Sequence, residues 1–200
     1  MKKVTIVAFG DSLTYGYGVL VSYPARLRKV YPKYNIRNRG INGDCTRGGL
    51  ARLEEDVLSL RPNLVVVWFG SNDSCFGEGY RTPIEFEQNL SAIVEGILNL
   101  EHSANKKSEI LLITPPPMID SDFYPINTND RLVEYAKITK SVAQKYHCNC
   151  LDFFSILDAE NKVSKEHYES MFQQDDVHLS DLGYELLWKH LLPEVEALLK

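Results

Sequence analysis

Hydrophobic residues follow two alternating patterns along this chain. Short segments with the length and composition of strands alternate with longer segments in which apolar residues recur every three or four positions, the period of a helix. The run Leu-Val-Val-Val-Trp-Phe at residues 64–69 is continuously apolar and rich in β-branched residues, which is typical of a strand covered on both faces. The predicted strands cover residues 4–9, 35–38, 64–69, 110–113 and 150–153.

Helices are predicted between these strands and after the last one. Pro62 ends one helix, and Thr82 with Pro83 supplies an N-cap and a first-turn proline for the next. The predicted helices cover residues 23–30, 48–60, 83–100, 130–146 and a last segment that follows residue 180 and runs through 199.

The alternation of strands and helices predicts an α/β fold. A parallel sheet needs crossover helices on its faces, so we expect a three-layer α/β/α sandwich with a five-stranded parallel sheet. The expected strand order is 2-1-3-4-5, as in flavodoxin-like proteins. Residues 1–200 contain no repeat or linker, and we expect them to form a single domain.

Composition and charge narrow the class of protein. The chain has 200 residues, 44% of them hydrophobic, and a formal net charge of −5, so we expect no nucleic-acid partner. No apolar segment approaches the roughly 20 residues that span a bilayer, and the N-terminus lacks a cleavage pattern. We therefore expect a cytoplasmic protein without a membrane span. Its four cysteines form no C-x-x-C pair, and we expect reduced thiols, no metal and no cofactor.

A serine stands where ligands bind in such folds. The run Gly10-Asp11-Ser12 directly follows the first strand, and the carboxyl ends of parallel strands form the ligand-binding edge of the sheet. A serine hydroxyl needs a base to become a nucleophile. His178 follows the last strand at the same edge, and Asp175, three residues earlier, is placed to orient its ring.

The same edge offers donors for the oxyanion that acyl transfer generates. They are the backbone N–H of Ser12, the backbone N–H of Gly43 and the side-chain amide of Asn72. Each of these short motifs is common in ordinary turns. Their convergence on one edge of the sheet is what favours a catalytic site.

These motifs together resemble the four sequence blocks of the SGNH, or GDSL, hydrolases. The blocks are Gly10-Asp11-Ser12-Leu13, Gly43, Gly70-Ser71-Asn72-Asp73 and Asp175-x-x-His178. The resemblance covers nearly the whole chain and implies ester or thioester hydrolysis with Ser12 as nucleophile, His178 as base and Asp175 as orienting residue. It also implies an oxyanion hole made of Ser12, Gly43 and Asn72. One local departure is Cys45, inserted where the esterase branch often has Thr directly after Gly-Asp.

Two further segments at this edge are candidates to line a substrate pocket. The segment at residues 15–18 is rich in tyrosine and glycine, and residues 115–118 and 123–125 are rich in proline and aromatic residues.

The reaction that we expect is hydrolysis of short- to medium-chain carboxylic esters, among them acetyl esters of carbohydrates, through an acyl-enzyme on Ser12. The partner is then a small-molecule ester. A lysophospholipase or thioesterase of the same family is an alternative. An alternative from another class is a non-catalytic flavodoxin-like module that binds an anion with backbone N–H groups and needs neither Asp175 nor His178. A catalytically inactive relative that serves as a carbohydrate-binding scaffold is disfavoured, because every expected catalytic residue is present in the sequence.

Overall fold

A computed structural model describes residues 3–75, 77–100, 107–120 and 129–200. Within these ranges, five parallel strands form one sheet in the order β2-β1-β3-β4-β5, which confirms the predicted order 2-1-3-4-5. The strands are β1 (Thr5–Gly10), β2 (Asn35–Gly40), β3 (Leu64–Trp68), β4 (Glu109–Ile113) and β5 (Asn149–Leu151).

Helices cover both faces of this sheet. They are α1 (Ser12–Tyr15), α2 (Tyr23–Val30), α3 (Thr46–Ala51), α4 (Leu53–Asp56), α5 (Pro83–Leu98), α6 (Asn129–Tyr146), α7 (Phe153–Val163), α8 (Lys165–Ser170) and α9 (Asp181–Leu198), with a 3-10 turn at Leu58–Leu60. No helix within the described ranges has both the length and the apolar composition needed to cross a membrane.

The hydrophobic core has two parts, one on each face of the sheet. On one face, Ile6 and Trp68 pack with residues of α2, α7 and α9. On the other face, Val7 and Val65 pack with residues of α5 and α6. The β1 strand is buried along its whole length, because neighbouring strands and helices cover it on every side. The three-layer α/β/α sandwich expected from the sequence is therefore present.

The predicted helix at residues 48–60 was wrong as a single element. It is divided into α3, α4 and the 3-10 turn. The backbone leaves helical geometry at Arg52 (φ −103°, ψ 6°) and at Val57 (φ −126°, ψ −62°). Glycines at positions 48 and 49 also lower the helix propensity of this segment.

The predicted last strand also ends earlier than expected. Residue 153 was assigned to the strand, but β5 ends at Leu151 and Phe153 is the first residue of α7. The reason is the side chain of Asp152, which caps α7 by accepting a hydrogen bond from the backbone N–H of Ser155 at 3.2 Å. The short helices α1, α7 and α8 were not predicted.

A single arginine joins the carboxyl ends of β1 and β2. The guanidinium of Arg52 donates to the backbone oxygens of Gly10 (3.0 Å) and Arg39 (2.9 Å). It also pairs with the carboxylates of Asp44 and Asp56, each at 2.7 Å. Its side chain is only 14% exposed, so water screens these contacts little. The loops that follow both strands are thereby held in one arrangement.

We expect Arg52→Met to lower the free energy of unfolding by about 2–4 kcal/mol, because it leaves two mostly buried carboxylates without their cation. Arg47→Met is the matched control. Its partner is Glu85, its side chain is 61% exposed, and an exposed pair contributes less than about 1 kcal/mol. Urea denaturation measures both variants, and equal losses in the two would contradict the structural role of Arg52.

Candidate active site

The side chains of Asp175, His178 and Ser12 form one chain of hydrogen bonds. The Nδ1 atom of His178 lies 2.6 Å from Oδ2 of Asp175, and its Nε2 atom lies 3.0 Å from Oγ of Ser12. The structure thus brings together three residues that the sequence singled out across 166 positions. Ser12 is the first residue of α1, directly after β1, and is only 7% exposed.

The loop before α9 gives Asp175 its orientation. The backbone N–H groups of Val177 and His178 donate to its Oδ1 at 3.1 and 2.9 Å. The residue between them and Asp175 is Asp176, which adopts a left-handed backbone conformation with φ 62°, a conformation that Asp tolerates better than most residues. This tight turn leaves Oδ2 free for the imidazole.

Electrostatics fix the tautomer of His178. Burial raises the pKa of Asp175, but hydrogen bonds from the backbone and ring of His178 and from Val177 outweigh burial, so this pKa lies below its ordinary value. An ionised carboxylate only accepts hydrogen bonds, so Nδ1 of His178 carries the proton. In the neutral form of the ring, Nε2 then has the lone pair that can accept the hydroxyl hydrogen of Ser12, which is the geometry that a general base requires.

Asn72 joins two of the loops at the sheet edge. Its Nδ2 donates to the backbone oxygen of Asp44 at 2.8 Å and lies 3.5 Å from Oδ2 of Asp11. Asp73, the next residue, accepts hydrogen bonds from the backbone N–H and the hydroxyl of Thr46. The loop after β3 therefore holds both the Asp44 loop and the start of α3.

Gly43 lies in the loop after β2 in a left-handed conformation, φ 74°, and a Cβ atom there would meet no other atom within 4 Å. Its backbone is thus open to an approaching ligand. Gly43 is not among the described residues that line the cavity beside Ser12. Its assignment as an oxyanion donor therefore stays a prediction.

Two buried carboxyl groups belong to the loops of this site, Asp11 beside Ser12 and Asp73 beside Asn72. Burial, helped by the neighbouring charges of Asp73 and Asp44, raises the pKa of Asp11 to about 8, although the N–H of Leu13 donates to its Oδ1 at 2.9 Å. Burial likewise raises the pKa of Asp73 to about 6, with the hydrogen bonds from Thr46 acting against it. Asp11 is therefore mostly protonated at neutral pH, and its structural role is to cap α1.

A small cavity opens beside Ser12. Its volume is about 50 Å³, enough for a few heavy atoms. The predicted proline-rich segment contributes to it, whereas residues 123–125 lie outside the described part of the chain. Its lining combines the hydroxyl of Ser12, the imidazole of His178 and the amide of Asn72 with a mostly apolar wall of Leu13, Cys75, Pro116, Pro117, Met118 and Val177.

Two contacts that sequence reasoning did not reveal shape this site. The ring of Tyr17 lies against the imidazole of His178, with centroids 4.5 Å apart. Gln173 donates through Nε2 to the backbone oxygens of Tyr17 (2.9 Å) and Leu179 (2.8 Å). No local motif signals these contacts. The contacts of Tyr17 with His178 and Gln173 join residues more than 150 positions apart, and the bond from Gln173 to Leu179 depends on the conformation of the loop between them. Within the described ranges, no three His, Cys, Asp or Glu side chains are grouped to hold a metal ion.

The raised pKa of Asp11 predicts a specific pH dependence of stability. Between the ordinary Asp value and about 8, the folded state binds a proton that the unfolded state has released, so Asp11 lowers the free energy of unfolding as pH rises. Asp11→Asn removes this effect. The free energy of unfolding of this variant, relative to that of the wild type, should therefore rise by about 1 kcal/mol per pH unit between pH 5 and 8.

Urea denaturation of both proteins at pH 5.5, 7 and 8.5 measures this difference. Asp158→Asn removes an exposed carboxylate that pairs with Lys162 and controls for the loss of a charge at the surface. Parallel stability curves for the wild type and Asp11→Asn would contradict the protonation of Asp11 in the folded state.

Comparison with known proteins agrees with this geometry. Residues 8–186 match the family model described as the GDSL-like lipase/acylhydrolase family. An isoamyl acetate-hydrolyzing esterase 1 homolog of Rattus norvegicus is 28% identical, with 94% of this chain and 80% of that protein covered. An acetylxylan esterase of Geobacillus stearothermophilus is 30% identical, with 90% and 81% covered.

A solved structure shares the fold as well. The crystal structure of the lipase/acylhydrolase from Enterococcus faecalis superposes with a TM-score of 0.80 at 28% identity, covering 97% of this chain and 96% of that one. The family match extends over nearly the whole chain and includes every strand except the first three residues of β1. The chain therefore belongs to the GDSL-like lipase/acylhydrolase family and is a serine hydrolase that acts on ester bonds.

Proposed function

We propose that this protein removes short acyl groups, acetyl above all, from small-molecule esters, with Ser12 as nucleophile, His178 as general base and Asp175 as the residue that orients it. The observation that carries the proposal is the continuous hydrogen-bonded chain from Asp175 through His178 to Ser12. A module that only binds an anion needs no such chain. In this proposal, residues 1–200 form a single catalytic domain.

The reaction proceeds in two halves. In the first, Oγ of Ser12 attacks the ester carbonyl carbon while Nε2 of His178 takes the hydroxyl proton. The tetrahedral intermediate collapses, the bond to the alcohol oxygen breaks, and His178 returns the proton to that oxygen. In the second half, a water molecule loses its proton to His178 and attacks the acyl-enzyme. The carboxylic acid leaves, and Ser12 regains its hydrogen.

Donors for the oxyanion come from three loops in this proposal. Ser12 is the first residue of α1, so its backbone N–H has no acceptor within the helix. Gly43 offers an N–H on open backbone. Asn72 offers the amide hydrogen that it does not give to Asp44. Because Asp11 is mostly protonated at neutral pH, it competes less for that hydrogen than a carboxylate would.

The size of the cavity supports a short acyl group. The described residues leave about 50 Å³ beside Ser12, which favours an acyl group of a few heavy atoms over an extended chain. The names of the two relatives described above also refer to acetate esters and to acetylxylan, which favours an acetyl group in this chain too. A sugar hydroxyl or a small alcohol then serves as the leaving group.

Ser12→Ala should abolish labelling by a fluorophosphonate probe and reduce hydrolysis of p-nitrophenyl acetate by at least about 10³-fold, because the nucleophile is lost. His178→Ala should reduce both to a similar extent, since the two residues act as a unit. Ser59→Ala, which changes an exposed serine whose hydroxyl donates to the backbone oxygen of Glu55, is the control that keeps full activity. Normal labelling of the Ser12→Ala protein would refute the assignment.

Chain length tests the acyl specificity. We expect kcat/KM to fall at least about tenfold from p-nitrophenyl acetate to p-nitrophenyl octanoate, because the longer chain does not fit the cavity. Steady-state kinetics on the acetate, butyrate and octanoate esters provide the measurement. Equal or better hydrolysis of octanoate would contradict the acetyl preference and favour the lysophospholipase or thioesterase alternative.

A further inference from the structure

The imidazole of His178 is covered on one side by an aromatic ring. The ring of Tyr17 lies 4.5 Å from it, centroid to centroid, at an interplanar angle of 41°. This is within the distance at which an aromatic face attracts a cation. The Tyr17 ring is 45% exposed, so burial in a core does not explain its position.

The backbone fixes where the Tyr17 ring lies. Its N–H donates to the backbone oxygen of Ser12 at 3.1 Å, and its own carbonyl accepts a hydrogen bond from Gln173 at 2.9 Å. Gly18, in a left-handed conformation, allows the close approach of Gln173, since a Cβ there would lie 2.2 Å from its Oε1. Gln173 also binds the segment that carries His178, because its backbone N–H donates to the carbonyl of His178 at 2.7 Å.

The Tyr17 ring contacts the base and not the acyl cavity. Tyr17 is not among the described residues that line the cavity beside Ser12, whereas His178 is. The edge of the imidazole is held at its two nitrogens, by Asp175 and Ser12. Those bonds leave rotation about the line that joins the nitrogens as the remaining freedom of the imidazole. The tilted ring of Tyr17, in contact with the imidazole, restricts that rotation.

We propose that Tyr17 is a positioning residue for the reaction, whose ring keeps the imidazole of His178 facing Ser12 and stabilises the positive charge that the imidazole acquires during acylation. This inference rests on the proposed function of His178 as base. The attraction between an aromatic face and a cation acts only when the imidazole is protonated. It therefore lowers the energy of the transition state more than that of the resting enzyme, and its loss reduces kcat rather than raising KM.

Three variants separate this role from a purely structural one. Tyr17→Phe keeps the ring and Tyr17→Leu removes it. Tyr34→Leu is the control, because it removes a ring that stacks on Tyr31 before the amino end of β2, at the opposite edge of the sheet. We expect Tyr17→Leu to lower kcat for p-nitrophenyl acetate about fivefold with KM within twofold of the wild type. The rate constant for fluorophosphonate inactivation should fall by the same factor. Tyr17→Phe and Tyr34→Leu should stay within twofold of the wild type.

A proton NMR signature checks the contact itself. The ring current of Tyr17, whose centroid lies 4.5 Å from that of the imidazole, should shift the imidazole C–H signals of His178 upfield, and Tyr17→Leu should remove that shift. The chain has five histidines, so comparison with His178→Ala assigns the signal.

Each result bears on the proposal. Wild-type kinetics in Tyr17→Leu, a rise in KM at unchanged kcat, or an equal loss in Tyr17→Phe overturns the positioning role. An unshifted His178 signal in the wild type also overturns it, even if the Leu variant fails to fold. A wild-type protein that does not react with the fluorophosphonate overturns the proposed function and this inference with it. Reaction of the wild type together with an unaffected Tyr17→Leu variant overturns the positioning role alone.

Discussion

The arrangement of the whole site depends on the hydrogen bonds and ion pairs that the guanidinium of Arg52 makes. One planar group with five fixed donors reaches the last carbonyl of β1, the carbonyl of Arg39 in β2 and the carboxylates of Asp44 and Asp56. The carbonyl on β1 belongs to Gly10, two residues before the serine. The Asp44 loop in turn holds Asn72 through a backbone oxygen. A lysine, with a single charged nitrogen, could not make these contacts together.

The charges around the serine divide into two groups with different consequences. Asp44 and Asp56 have the Arg52 cation beside them, so their ionised forms are compensated. Asp11 is buried among the chain's own carboxylates, and its pKa rises to about 8. In the proposed mechanism, a neutral acid next to Ser12 places no second negative charge near the oxyanion. The ionised carboxylate of Asp175 thus lies at one end of the hydrogen-bonded chain, and the mostly protonated carboxyl group of Asp11 belongs to the residue before Ser12, at the other end.

The sequence was enough to predict the parts of this structure that follow from simple rules. Alternating strands and helices imply a parallel sheet, and a parallel sheet gathers its loops at one edge, so Ser12, Asn72, Asp175 and His178 could be placed together. The prediction of one continuous helix at 48–60 was wrong because apolar periodicity does not reflect the polar contacts of Arg52, the residue at which the helix is interrupted. Phe153 was misassigned because the cap formed by Asp152 competes with strand continuation.

The approach of Ser12 to His178, across 166 positions, needs more than a shared sheet edge. Strand order brings two loops within several ångströms, but a 3.0 Å hydrogen bond requires that the loops be joined to each other. Gln173 makes that connection, since its amide donates to carbonyls from the segment after Ser12 and from the segment that carries His178. Both of its acceptors are backbone atoms, which every residue possesses, so no pairing of residue types could have revealed it. The precision of the site therefore comes from side chains that bind backbone, Arg52 on one side and Gln173 on the other.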